Sequence, residues 1–331
     1  VGIIGTHGKG TVSGAITWLL DQAGEAPGYI IGGLLENFGD NARDGAKWLV
    51  AEVDESDGTL VNTRPNIAVL NNLELDHLNY YSSWDKLEDS VVRFFVANPR
   101  LENVVLNVDD PGVRKIHTRL LEARVSAKIT TFGFESADAD YRGVNLQAKR
   151  MAGTFELRVA GEPCGTVELS LPGAYNASNV LAAVATCHVA GVSVEQILAA
   201  APQYRGLENR FTLVEADGVE VVKDYISHPT GIRRVLDAAR LQARGEVVAV
   251  FKPYRFTMIH YLQDDYAEAF AAADRVVITE LYTAGEVPIP GVDTDMLCRR
   301  IRERCSDVTY VHDLAAIPPH LDATVDSGAT V

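Results

Sequence analysis

The chain has 331 residues, 47% hydrophobic and 23% charged, a balance that excludes disordered and collagen-like classes. That length suits about two domains of roughly 100–200 residues each, and no run approaches the ~18–20 uninterrupted apolar residues of a membrane span. Against 45 acidic side chains stand 30 basic ones, and the resulting formal charge of −15 repels polyanions and argues against a general nucleic-acid binder.

Apolar, β-branched segments alternate with helical patterns through the first half, which predicts an α/β fold with a mostly parallel sheet. Strands are expected at Val1–Ile4, Trp48–Val53, Ile67–Leu70, Val104–Asn107 and Ile129–Phe132, with helices at Thr11–Ala23, Trp84–Val96 and Pro111–Leu121. Short alternating segments with glycine turns from Gly143 to Leu171 predict a small antiparallel appendage. Helices then follow at Asn176–Ala190 and Ser193–Ala201.

A second α/β set, Rossmann-like, begins after a boundary near Tyr204–Arg210. Its strands are expected near Val219–Asp224, Val247–Phe251, Arg275–Thr279 and Val308–Val311. Its helices are expected near Thr230–Leu241, Asp264–Ala273 and Asp295–Arg304. The domains are therefore read as 1–207 and 208–331. The first residue is not Met and already lies in a core strand, so the sequence is expected to be a portion of a longer protein. Cys164, Cys187, Cys298 and Cys305 form no CxxC pair and no metal-ligand spacing, which predicts a reduced, cytoplasmic setting.

The stretch Gly5-Thr6-His7-Gly8-Lys9-Gly10-Thr11 carries the most chemistry. A strand entering a glycine-rich turn and then a helix lets backbone N–H groups and the helix dipole converge on phosphate oxygens. Lys9 supplies a point charge for the terminal phosphates and the Thr11 hydroxyl a magnesium ligand. The strand Trp48–Val53 runs out into the acidic stretch Glu52-Val-Asp-Glu-Ser-Asp57, at the sheet edge where open α/β folds bind ligands. Carboxylates gathered there call for a cation. The next strand delivers Asn71-Asn72-Leu-Glu-Leu-Asp-His77 to the same edge, which makes Glu52 and His77 the metal-ligand candidates.

With Gly173-Ala-Tyr-Asn-Ala-Ser-Asn179, Asp224-Tyr225, His228-Pro229-Thr230 and Tyr282–Gly291, these motifs resemble the Mur ligases, ATP-dependent amino-acid ligases of peptidoglycan precursor synthesis. The likeness runs over essentially the whole chain and is nearest to members that add L-alanine to UDP-N-acetylmuramate. It implies ATP and Mg2+ as cofactors, and small-molecule substrates with no nucleic acid and no membrane. The implied reaction activates a carboxylate as an acyl phosphate, which an amine then attacks. It further implies that Lys9 holds the β- and γ-phosphates, that Thr11, Glu52 and His77 bind metal, and that Asn176 and Asn179 recognise adenine. Arg210 falls where an arginine approaches the γ-phosphate, and Asp224 where an aspartate meets the nucleotide. His228, Tyr254 and Arg255 fall at the amino acid and acyl phosphate, with His228 the candidate base.

Several positions depart from the family pattern. Gly10 separates Lys9 from Thr11, as in folylpolyglutamate synthases, which leaves a folylpolyglutamate- or cyanophycin-type ligase open. Lys223, Ser227, Tyr254 and Met258 replace expected residues at the amine end, which leaves open a non-catalytic nucleotide-binding relative. Asn79 replaces an aspartate beside His77, and Val92 stands where other members carry a carbamoylated lysine. No counterpart of the family's N-terminal UDP-sugar domain is present, and the C-terminal domain is expected to be incomplete at Val331.

Overall fold

A computed structural model of the chain describes every residue except Leu78, Asn79 and Ser82. The chain divides into two compact units, Val1–Glu208 and Asn209–Val331.

In the first unit ten strands share one sheet. They are β1 (Gly2–Ile4), β2 (Gly28–Leu35), β3 (Asp40–Arg43), β4 (Leu49–Glu52) and β5 (Ile67–Leu70), then β6 (Asn103–Asn107), β7 (Lys128–Gly133), β8 (Tyr141–Lys149), β9 (Ala152–Val159) and β10 (Glu162–Leu169). Their order is β10-β9-β8-β7-β6-β5-β1-β4-β2-β3. From β2 across to β8 neighbours run parallel, while β3, β9 and β10 pair antiparallel. The antiparallel appendage thus extends the parallel sheet rather than standing apart from it.

Helices cover both faces, as a buried parallel sheet requires. They are α1 (Lys9–Gln22), α2 (Trp84–Val96), α3 (Pro111–Glu122), α4 (Ala174–Val189) and α5 (Val194–Ala200). Successive residues of β5 divide the core between the two layers. Ile67 and Val69 join α1 and α4, whereas Ala68 and Leu70 join α2 and α3. The strands β5 and β6 read Ile-Ala-Val-Leu and Asn-Val-Val-Leu-Asn, continuous enough in apolar residues to be legible from sequence. Two described strands of this unit have no counterpart in the sequence reading. β2 is interrupted by Gly32-Gly33, and β3 is a polar edge of Asp-Asn-Ala-Arg, so neither carries a strand's usual apolar signal.

The second unit contains a two-stranded antiparallel ribbon, β11 (Thr212–Ala216) with β12 (Val219–Lys223). Next comes α6 (Pro229–Gln242), and then β13 (Val248–Phe251), followed by the short helices α7 (Phe256–Tyr261) and α8 (Gln263–Ala269). β14 (Arg275–Ile278), α9 (Thr294–Ile301), β15 (Asp307–Tyr310) and α10 (Ile317–Thr324) complete it, with β13, β14 and β15 in one parallel sheet. The helix expected from Asp264 begins one residue earlier and ends at Ala269, behind the separate turn of α7.

One carboxylate ties the ends of β6 and β7 together. Asp109 accepts from the backbone N–H groups of Phe134 at 2.5 Å, Ser136 at 2.9 Å and Glu135 at 3.1 Å. Burial pushes its carboxyl up, but these donors outweigh burial and hold it below the usual carboxylate range. Because the folded value is the lower one, the stabilisation is present above the unfolded value and is lost as pH falls through the folded one. Asp109→Ala is expected to cost about 1.5–3 kcal/mol near neutral pH. Denaturant unfolding at a series of pH values should show that difference shrinking in acid.

Candidate active site

The glycine loop runs from the end of β1 into α1. Gly8 occupies the N-cap with φ of 78°, and no side chain caps the helix, so its first N–H groups are presented at the loop. A Cβ on Gly8 would lie 2.6 Å from the Asn179 Oδ1, so both backbone angle and space demand glycine there.

The segment after β5 clamps this loop. Thr6 N–H donates to the Asn72 carbonyl at 3.3 Å. His7 N–H donates to Asn72 Oδ1 at 2.7 Å, and Asn72 Nδ2 returns a bond to the His7 carbonyl at 2.8 Å. Asn71 Nδ2 donates to the same carbonyl at 3.2 Å and to Asn179 Oδ1 at 2.8 Å. The Thr6 hydroxyl accepts from Glu74 N–H at 2.9 Å, and His7 Nε2 lies 3.1 Å from Glu74 Oε2. Asp110, which caps α3, also accepts from Leu73 N–H at 3.2 Å and so fixes the clamping segment itself. The N–H of His7 is therefore spent on bracing. The donors left for an anion are those of the helix start, from Gly8 onward.

Lys9 Nζ donates to the Gly5 carbonyl at 2.7 Å and to both oxygens of Glu55 at 3.0 Å. The Glu55 side chain is only 2% exposed, and that ammonium is the counter-charge beside it. His77 Nε2 sits 3.7 Å from Glu55 Oε1 and 3.9 Å from Asp76 Oδ2. Burial lowers the His77 pKa, but the carboxylates of Glu55 and Asp76 beside it outweigh burial and raise the imidazole above its usual value. Asp54, Glu55 and His77 each present a ligand atom, all within 4.8 Å of one another. Two carboxylates offer the hard oxygens that a divalent cation prefers, with one imidazole beside them, so the donor set fits magnesium.

Glu52, the acidic ligand expected from sequence, stands slightly apart from this trio. Its Oε1 accepts from Gly32 N–H at 2.7 Å and lies 3.2 Å from the position a Cβ would take on Gly10. That contact accounts for Gly10 between Lys9 and Thr11: a side chain there would press on Glu52 and on Leu207. Lys9 and His77 thus meet through Glu55, which lies between them, while Glu52 lies beside Gly10 in the first turn of the helix. Sequence reasoning named the acidic run but not Glu55 within it. Thr11 is buried, and its carbonyl accepts from Tyr204 Oη at 3.0 Å.

Asn176 and Asn179, expected at adenine, are both buried at the start of α4. Asn176 Nδ2 donates to the Pro172 carbonyl at 2.8 Å, and Asn179 Nδ2 to Asn176 Oδ1 at 3.3 Å. Asn179 thereby also supports the loop through Asn71. Asn79 lies outside the described residues.

In the second unit Arg210 donates to the Tyr225 carbonyl and pairs with Asp224 Oδ1 at 3.5 Å. Asp224 Oδ2 accepts from Phe211 N–H at 2.9 Å, and burial raises its carboxyl despite the Arg210 charge. His228 is buried as the N-cap of α6, its Nδ1 accepting from Thr230 N–H at 3.3 Å. Tyr254 stacks on Tyr282 with ring centres 5.9 Å apart, and the Arg255 guanidinium lies over the Tyr254 ring at 4.9 Å. Asp224, Tyr225, Tyr254 and Tyr282 line part of a cavity of about 850 Å³, whose other walls include Val250 and Leu321. His228 does not line it.

Asn72→Ala removes two of the bonds that hold His7. It is expected to cost about 1–3 kcal/mol of stability and to weaken binding of a phosphate ligand, as checked by denaturant unfolding and nucleotide titration.

Residues 3–187 match the Mur ligase middle domain and residues 209–331 the Mur ligase, glutamate ligase domain. A UDP-N-acetylmuramate–L-alanine ligase of Geobacter sp. (strain M21) is 36% identical over 99% of this chain and 71% of its own length. That of Dichelobacter nodosus is 39% identical over 97% and 68%. Among solved structures, UDP-N-acetylmuramate-alanine ligase from Thermotoga maritima superposes with a TM-score of 0.78 at 24% identity, covering all of this chain and 70% of that one. A Thermotoga maritima ligase of the same fold, solved in complex with ADP, gives 0.74 at 19% identity, covering 100% and 74%. The chain belongs to the Mur ligase family of ATP-dependent amide ligases.

Proposed function

We propose that this chain joins L-alanine to the carboxylate of a UDP-N-acetylmuramate acceptor, with ATP converted to ADP and phosphate. The observation that carries the reading is the uncapped start of α1 behind Gly8, with Lys9 poised between the Gly5 carbonyl and a cluster of carboxylates and imidazole. Relatives at 36% and 39% identity that bear the name of this activity support the choice of substrates.

The chemistry asks for little beyond placement and charge. A carboxylate oxygen attacks the γ-phosphorus and ADP leaves; the amine then attacks the acyl carbon and phosphate leaves. Both steps build negative charge on oxygens, which preorganised donors and cations stabilise without a protein nucleophile. The N–H groups at the helix start and Lys9 would hold the terminal phosphates. Asp54, Glu55 and His77 would hold magnesium, with Glu52 and the Thr11 hydroxyl also assigned to it, and the metal would supply charge neutralisation at the phosphates. Arg210 is assigned to the transferred phosphoryl group and Asp224 to the nucleotide. His228 is assigned the ammonium proton, and Tyr254 and Arg255 the amino acid and acyl phosphate. Asn176 and Asn179 are assigned to adenine.

No helix among the described residues is long and apolar enough to cross a membrane, and all four cysteines are free thiols. A cytoplasmic setting agrees with those thiols and with a nucleotide substrate.

The test supplies the protein, as its gene encodes it, with ATP, magnesium, UDP-N-acetylmuramate and each amino acid in turn, and reads products by mass spectrometry. L-Alanine should give the ligated product with matching ADP release, and Lys9→Ala should lower kcat by about 10²–10³-fold. A product with a different amino acid, ATP binding without any product, or full turnover by Lys9→Ala would contradict the proposal.

A further inference from the structure

Lys9 has three N–H donors, and all three find acceptors within the chain: the Gly5 carbonyl at 2.7 Å and the two Glu55 oxygens at 3.0 Å. The phosphate-binding cation is thus already neutralised by a carboxylate of this chain. Glu55 is not a surface residue that happens to swing near. Its side chain is 2% exposed, its own carbonyl accepts from Tyr81 Oη at 2.6 Å, and Tyr81 is itself buried. A phosphate oxygen gains Lys9 only by displacing part of that pair.

We propose that Glu55 is the positioning residue of Lys9 and its exchange partner. While no nucleotide is bound, Glu55 holds the ammonium at the mouth of the loop. When a magnesium–nucleotide complex arrives, Lys9 turns to phosphate, and the carboxylate it leaves faces the incoming cation beside Asp54 and His77. The inference rests on the nucleotide reading above. Its physical basis is charge balance in a buried place. A carboxylate so enclosed cannot be left without a counter-charge, so Lys9 is released to phosphate only when a cation comes with it. The ion pair therefore favours magnesium–nucleotide over free nucleotide, through discrimination against the metal-free ligand.

Three consequences separate this role from that of a structural strut. Glu55→Gln keeps the shape but removes the charge, so Lys9 is freed for phosphate. Calorimetric titration with ADP in the presence of a chelator should show metal-free affinity rising by about tenfold. The factor by which magnesium improves binding should fall by a similar amount. Lys9→Gln leaves the Glu55 charge unbalanced, so its melting temperature should fall further than that of the double variant Lys9→Gln/Glu55→Gln.

Should Glu55→Gln not fold, Glu55→Asp carries the test, since its shorter arm loosens the same pair and predicts the same direction with a smaller size. Weaker metal-free binding in both position-55 variants, or an unchanged magnesium effect, would overturn the exchange while leaving the nucleotide reading intact. Failure of the unmodified protein to bind nucleotide even with magnesium would overturn both.

Discussion

The candidate site depends on the parallel register that sets Ile3 beside Glu52 on one side and Val69 on the other, with Ile4 beside Leu70. Ile3 and Ile4 are fully buried, each facing a different core layer, so a slip by one residue would put each in the wrong layer. Fixed that way, three strands end at one edge. β1 releases the glycine loop, β4 the acidic run and β5 the Asn71–His77 segment. Chemistry at that edge follows from which chain ends are adjacent, since each strand delivers its polar residues only after its apolar stretch is exhausted.

The loop is held from outside itself. A glycine-rich turn left alone would lose much conformational freedom on ordering, and here the cost is offset by the Asn72 amide, which mimics a neighbouring strand by bonding both the N–H and the C=O of His7. Asn71 links that clamp to Asn179 at the start of α4. Two helix N-termini and two strand ends are thus joined by side-chain amides. In a protein of formal charge −15, this local arrangement of N–H groups and Lys9 supplies positive potential at the loop.

Much of this was legible in the sequence, for reasons that can be stated residue by residue. β5 and β6 announce themselves because strands buried on both faces are apolar throughout, and Lys9 because a glycine turn between strand and helix has few other uses. β2 was not legible, since Gly32 and Gly33 interrupt its apolar run. The choice between Glu52 and Glu55 was out of reach as well. Both lie in one acidic run, and which carboxylate meets Lys9 depends on how the chain turns after β4 ends at Glu52. Asn72 could be placed at the sheet edge but not given its role, because spacing alone does not show a side-chain amide reaching a backbone 65 residues away. In the second unit Tyr282 belongs with Tyr254 through a parallel bridge between two loops, a pairing that local patterning does not encode.

The account's central claim is that one anion-binding locus, at the start of α1, unites Lys9 with the carboxylates and imidazole of the neighbouring strand ends. The most direct measurement is a crystal structure with a non-hydrolysable ATP analogue and magnesium. The account predicts the terminal phosphate within about 3 Å of Lys9 Nζ and of N–H groups at the helix start, with the cation beside His77 and the acidic run. A triphosphate bound away from that loop, with Lys9 still fully paired to Glu55, would contradict it.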